Sequence, residues 1–203
     1  MKILFITEDH SKNNYGITTV LSQLISELME YDPTIQPVLV STSTEAVSSN
    51  KNFYTKLIPP SKILAGWRWS PFLLHHIEQI VNEQQIDLIH INGLWMAAQW
   101  AGLRIAKKRN LPCIISSHGM LESWFWERSS KSKNLKKSIY FKLMITPNLP
   151  KTSIVHAITP LEQENLQKWF PQQKSVIIPN AITVDPYPPV TNPQKYFLFI
   201  GRL

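Results

Sequence analysis

The sequence predicts an α/β fold: a Rossmann-like, doubly wound, mainly parallel sheet with helices on both faces. Three observations carry this. Short runs rich in Ile, Val and Leu recur without the apolar and polar alternation of a half-wet sheet, as strands covered on both faces require. Stretches with apolar residues three and four apart separate most of these runs, and that spacing builds one buried stripe on a helix. Strand followed by helix, repeated, calls for right-handed crossovers between parallel strands.

In order, strands are predicted over residues 2–7, 37–42, 87–92, 113–117, 154–159, 175–178 and 196–201. Between the first two, Ile17, Val20, Leu21, Leu24, Ile25 and Leu28 form one helical stripe. Ser70 followed by Pro71 reads as an N-cap and first helical residue, with Leu73, Leu74, Ile77, Ile80 and Val81 behind it. The run Thr159-Pro160-Leu161-Glu162 has capping-box spacing and opens a helix through about Phe170. Five of the 15 prolines crowd between Pro179 and Pro193, which stops regular structure. The expected organisation is therefore a domain over 1–178, a Pro-rich linker over 179–195, and over 196–203 the first strand of a further domain lying beyond this truncated chain.

With 203 residues, 43% of them apolar and 17% charged, the chain can bury a substantial core and is neither a disordered tail nor a fibre. Its 21 Lys and Arg against 14 Asp and Glu give +7. Seven of those cations, Arg128, Lys131, Lys133, Lys136, Lys137, Lys142 and Lys151, follow one another with no acid among them, so the excess is one local feature. The single cysteine, Cys113, forms no internal disulfide and fits a reducing, cytoplasmic setting. It opens an apolar strand and reads as a small hydrophobe. No run approaches the roughly 18 apolar residues of a membrane span.

In an open parallel sheet, ligands bind beyond the carboxyl ends of the strands. The unusual residues gather there. Residues 8–16 form a polar loop whose Gly16 precedes a helix, a junction that attracts anions or serves as a tight turn. His118, beside Gly119 at a strand end, offers an imidazole to a sugar hydroxyl or phosphate, or is a satisfied structural residue. His90 and His156 lie within strands and read as buried and hydrogen-bonded. Gly-x-Gly-x-x-Gly, a Walker loop, Gly-x-Ser-x-Gly and Asp-x-Asp are all absent, so nicotinamide binding, phosphate-loop and hydrolase chemistry lack support and no metal is indicated.

Three blocks then carry a resemblance: Ile89-His90-Ile91-Asn92-Gly93-Leu94-Trp95, Ser116-Ser117-His118-Gly119-Met120-Leu121-Glu122-Ser123-Trp124, and His156-Ala157 with Glu162 and Glu164. In this order they are similar to the amino-terminal half of a retaining glycosyltransferase of GT-B architecture, of the group 1 or family 4 type. Pro179-Asn180-Ala181-Ile182 resembles that family's interdomain crossing, and residues 199–203 resemble the first strand of its donor-binding domain. The resemblance implies a nucleotide-sugar as co-substrate, no tightly bound cofactor, and a glycan or lipid-linked hydroxyl acceptor in polysaccharide assembly. It implies His118 as the catalytic residue, facing the transferred sugar, with Gly16, Gly119, Asn180 and Arg202 around the donor. Asn92, Trp95, Glu122 and Trp124 fall to the acceptor. Tyr15 and Ala181 stand where the family pattern has glycine.

The basic stretch has two readings. Trp124, Phe125 and Trp126 followed by Arg128, Lys131, Lys133, Lys136 and Lys137 could hold an anionic lipid-linked acceptor or rest on the inner, acidic face of a membrane. Alternatively it is a solvated helix with Ile139, Tyr140, Leu143 and Met144 as its buried side. Nucleic acid is not expected, since no recognised module accompanies the cations. Two further functions stay open beside the transferase half: a subunit of a split transferase, and a non-catalytic binder of glycan or acidic lipid. Alone, the chain is expected to be inactive, because one wall of a cleft cannot hold two reactants in register.

Overall fold

A computed structural model describes residues 1–11, 15–44 and 53–181. Its centre is a seven-stranded sheet of β1 (Lys2–Thr7), β2 (Gln36–Ser41), β3 (Tyr54–Leu57), β4 (Leu88–Asn92), β5 (Cys113–Ser116), β6 (Ser153–Ala157) and β7 (Lys174–Ile177). Every described pairing is parallel, and the order is β3-β2-β1-β4-β5-β6-β7. The chain thus winds outward both ways from β1 and β4, which makes their junction, where Thr7 pairs with Asn92, the topological switch point.

Alternation along the strands splits the core in two. Ile3, Phe5 and Leu39 pack with Leu21 and Ile25 of α1 (Tyr15–Tyr31) on one face. Leu4, Ile6, Val38, Ile89, Ile91, Ile115 and Val155 point the other way, toward α2 (Leu73–Gln84), α3 (Ala97–Arg109) and α6 (Pro160–Trp169). Both faces are apolar, which is why the strands read as unbroken hydrophobic runs. Cys113 is buried, and its surroundings push the thiol up to about 12, as suits an inert core residue.

The sequence-predicted strands through 178 are all present with ends shifted by a residue or two. The strand expected at 196–201, and the linker from 182 onward, lie outside the described residues. One strand was not anticipated: β3, a short edge strand whose Tyr54 and Thr55 are exposed and which lacks an Ile/Val run. The start of α2 also differs. Ser70 and Pro71 form a turn, with the Leu73 amide donating to the Ser70 carbonyl, and the helix begins two residues later behind Phe72 without a side-chain cap.

Gly102 explains how closely α3 lies on the sheet. A Cβ there would sit 2.5 Å from Cδ1 of Ile91 and 2.6 Å from Cδ1 of Ile6. Gly102→Ala is expected to cost about 2 kcal/mol through overpacking, read as a lower urea midpoint with unchanged slope. A change below about 0.5 kcal/mol would show that the two isoleucines yield freely.

After β5 the chain leaves the sheet edge as α4 (Ser123–Glu127) and α5 (Lys131–Tyr140), followed by a π turn over Phe141–Ile145. Here the expected buried side is corrected. Ile139 and Leu143 are exposed, and the residues turned inward are Tyr140, Phe141 and Ile145. The cause is an aromatic array: Phe141 packs edge-on against Trp169 and Phe170, and Tyr140 against Trp95 and Trp67. Among the described residues no helix is long and apolar enough to cross a membrane.

Candidate functional site

The carboxyl ends of β4, β5 and β6 open into a cavity of about 190 Å³. Its walls are α1, through Val20, Gln23, Leu24 and Glu27, and the segment after β7, Ile178 to Ala181. Its floor is polar: His90, Asn92, Ser116, His118 and His156. Sequence alternation places His90 and Asn92 here, because Ile89 and Ile91 take the opposite face. His118 and Asn180 share one opening with Asn92. Gly16 does not line it, but stands one helical turn before Val20, exposed, with empty space where a Cβ would be.

His118 is held in an unusual backbone conformation, with φ 51° followed by Gly119 at φ 75°. Glu162 holds this turn. Its carboxylate oxygens accept from the Ser117 hydroxyl at 2.6 Å, the Gly119 amide at 2.8 Å and the Ile158 amide at 2.8 Å. The expected capping box is thus half formed: Thr159 Oγ1 accepts from the Glu162 amide at 3.1 Å, while the Glu162 side chain goes to the His118 turn. The Gly119 amide, expected near the donor, is committed to Glu162, and its positive φ is what calls for glycine.

The hydrogen-bond network assigns the proton on His118. Asn92 Nδ2 donates to the His90 carbonyl, so Asn92 Oδ1 accepts from His118 Nε2 at 3.0 Å. The neutral ring then keeps Nδ1 as an acceptor. Burial, aided by the nearby His156, lowers the His118 pKa to about 4, with Glu162 pulling weakly the other way, so the imidazole is uncharged at neutral pH.

A second chain of bonds lies beneath. His156 Nε2 donates to the Ile178 carbonyl at 2.7 Å, and its Nδ1 is hydrogen-bonded to the Ser116 hydroxyl at 2.8 Å. The same hydroxyl is hydrogen-bonded to His90 Nε2 at 2.8 Å. Full burial lowers the His90 pKa to about 3, with His118 and His156 adding to the effect. Both strand histidines are hydrogen-bonded as the sequence suggested, but only His90 is buried, His156 being half-exposed where both floor the cavity. Among the described residues, no three His, Cys, Asp or Glu side chains group as metal ligands.

The other expected residues are dispersed. Trp95 packs edge-on against Trp126 and at a tilt against Tyr140 in the aromatic array, and does not line the cavity. Glu122 accepts from Asn165 at 2.9 Å and ties α4 to α6. Trp124 is exposed, with Arg128 over its ring at 5.8 Å. Arg128, Lys131, Lys133 and Lys136 face solvent. Lys137 does not: its Nζ lies 5.7 Å from the Trp95 ring and 5.2 Å from the Trp126 ring, and burial with the neighbouring Lys133 lowers its pKa. Arg202 lies outside the described residues.

Sequence reasoning missed a second cleft, about 350 Å³, at the ends of β1 and β2. Asp9, Ser11, Thr42, Ser43, Thr44 and Arg68 line it. Arg68, itself at φ 51°, reaches Asp9 at 2.8 Å and the Glu8 carbonyl at 3.2 Å. The hydroxyl run Ser41-Thr42-Ser43-Thr44 was the available signal. Glu8 itself bonds to Gln99 beside Gly93, and burial raises its pKa.

The model of Glycosyltransferase Family 4 matches residues 15–186. Among curated proteins, none matches the chain by sequence. Among solved structures, UDP-GlcNAc 2-epimerase from Neisseria meningitidis, bound to UDP-GlcNAc, superposes with TM-score 0.56 at 13% identity over 87% of this chain and 45% of its own. Sucrose-phosphate synthase from Thermosynechococcus elongatus does so with TM-score 0.56 at 12% identity, over 88% and 48%. The S. aureus MnaA–UDP structure gives 0.51 at 15% identity, over 87% and 43%. This chain thus spans about half the length of each, and the likeness is one of fold. The seven-stranded parallel sheet and the match along residues 15–186 together make the chain a member of Glycosyltransferase Family 4 with the fold of a GT-B amino-terminal domain.

Proposed function

We propose that this chain forms the acceptor-side wall of a retaining glycosyltransferase and works against a donor-binding counterpart that presents a nucleotide-sugar. The observation that supports this best is His118: a neutral imidazole, fixed by Asn92 and by the Glu162-held turn, lining a cavity at the switch edge of the sheet. The cavity lies below the roughly 300–1,000 Å³ of small-molecule sites, so it suits one sugar-sized group and not a whole nucleotide-sugar.

In such a transfer the bond from the anomeric carbon to the diphosphate breaks, positive charge grows on the sugar, the acceptor oxygen bonds to that carbon, and the acceptor's hydroxyl proton passes to the departing diphosphate oxygen. His118 Nδ1 accepts from a sugar hydroxyl and positions the ring. Being uncharged, it does not repel the developing cation. Asn180, across the opening, supplies an amide to the same group. The acceptor is better seated in the hydroxyl-lined cleft of Asp9, Ser43 and Arg68 than on Trp95 or Glu122, which the aromatic array and α6 occupy.

The 203-residue chain mixed with several nucleotide-sugars and glycan acceptors is expected to give no transfer. Joined to the donor-binding half of a family member, it is expected to transfer, and His118→Ala to lower kcat/KM by about 100-fold. Glycan binding without transfer in the joined protein would favour a non-catalytic binder. Inversion at a sugar carbon with no acceptor consumed would point to an epimerase.

A further inference from the structure

Residues 128–161 contain no acid, and the acid that follows, Glu162, is buried. Within this stretch, α5 and the π turn leave a line of large apolar side chains in water. Leu135 is 62% exposed, Ile139 48% and Leu143 66%. Leu135 and Ile139 stand four apart on α5, hence one above the other on one face, and Leu143 follows a turn later. None of the three is needed inside, because Tyr140, Phe141 and Ile145 already close the core from this element. Exposed cations adjoin the line: Lys131 one turn before Leu135, Lys136 beside it, and Lys142 next to Leu143. The opposite side is seated on Trp95, Trp126 and Trp169, so the stripe is mounted on a rigid aromatic bed.

We infer that this face docks on an acidic phospholipid surface, with Leu135, Ile139 and Leu143 entering the headgroup boundary and Lys131, Lys136 and Lys142 meeting lipid phosphates. The charge decides the occupant. A second copy of the chain would bring like charge against like, whereas an anionic bilayer complements the cations and solvates the apolar stripe. Docking here leaves the His118 cavity, on the α1 face of the sheet, free. The inference goes beyond the transfer reading, because lipid binding is measured with neither donor nor acceptor present.

The test is cosedimentation of the 203-residue chain with vesicles of phosphatidylcholine alone, and of phosphatidylcholine with about one-third phosphatidylserine. Binding is expected on the second and not the first, weakening as salt rises. Replacing Lys131, Lys136 and Lys142 with Gln together is expected to lower the partition coefficient by on the order of 100-fold, given the usual gain per cation at such a surface. Replacing Leu135, Ile139 and Leu143 with Ser is expected to weaken binding on the same vesicles. Circular dichroism should be unchanged in both, as all six side chains are exposed. Equal binding to both vesicles, binding that ignores salt and the Lys→Gln set, or no binding overturns the inference. So does a dimer in solution that the Leu/Ile→Ser set abolishes, since the stripe would then be an interface between copies.

Discussion

Replacing Glu162 with alanine is expected to remove about 4 kcal/mol of folding stability, a large share of the 5–15 kcal/mol typical of a domain. The side chain is 2% exposed and accepts three hydrogen bonds, two of them from backbone amides. Alanine strands the Ser117 hydroxyl and the amides of Gly119 and Ile158 in a dry interior, where each unmet donor costs about 1–3 kcal/mol. It also loosens the turn that holds His118 at positive φ, so the loss joins stability to the site. Glu162→Gln keeps the length and one acceptor oxygen, but points an NH₂ at one of the donors, and should cost about half as much. Urea unfolding of the three proteins checks this. A loss below about 1 kcal/mol for alanine would mean that water replaces the carboxylate and that Glu162 does not hold the turn.

The second large effect is with pH. Stability is expected to fall steeply as pH drops from about 6.5 toward 4. The native chain keeps His90 and His118 neutral, with pKa values of about 3 and about 4, while in the unfolded chain both titrate near 6.5. Between these values the unfolded state binds more protons, so unfolding is favoured by acid, at about 1.4 kcal/mol per pH unit for each fully engaged histidine. His118 keeps some contact with solvent and contributes the smaller part. Over two units the pair removes on the order of 4 kcal/mol. Glu8 works against this: burial raises its pKa above 4.5, so its neutralisation in acid relieves a cost. Asp32 and Glu78, held below their ordinary values chiefly by hydrogen bonds from Thr34 and from Lys108, lose their contribution lower still. Urea midpoints at pH 7, 6, 5 and 4.5 read the slope. His90→Gln, which retains a donor toward Ser116, should flatten it; an unchanged slope in that variant would assign the acid sensitivity elsewhere.

Much of the scaffold was legible because its strands are covered on both faces. Leu4 and Ile6 serve one core and Ile3 and Phe5 the other, so each strand announces itself as an apolar run. The edge strand β3 escaped notice for the same reason, since half of it faces water. The helix start at Thr159 was readable from local chemistry, but not the destination of its Glu162 side chain, which crosses to a turn more than forty residues earlier in the chain. Likewise Ile139 and Leu143 look inward on a helical wheel. The edge-on packing of Phe141 against Trp169 turns that residue inward and leaves them outside.

By itself the sequence determined the sheet apart from β3, the family and the place of His118 at a strand end, because burial periodicity and local turn chemistry act over a few residues. Tertiary structure decided which side chains meet. It brought His90, His118 and His156 together over one cavity, withdrew Trp95 and Lys137 into an aromatic bed, and exposed an apolar line among cations. Those outcomes depend on how distant segments compete for the same buried space, and packing resolves that competition for the whole domain at once.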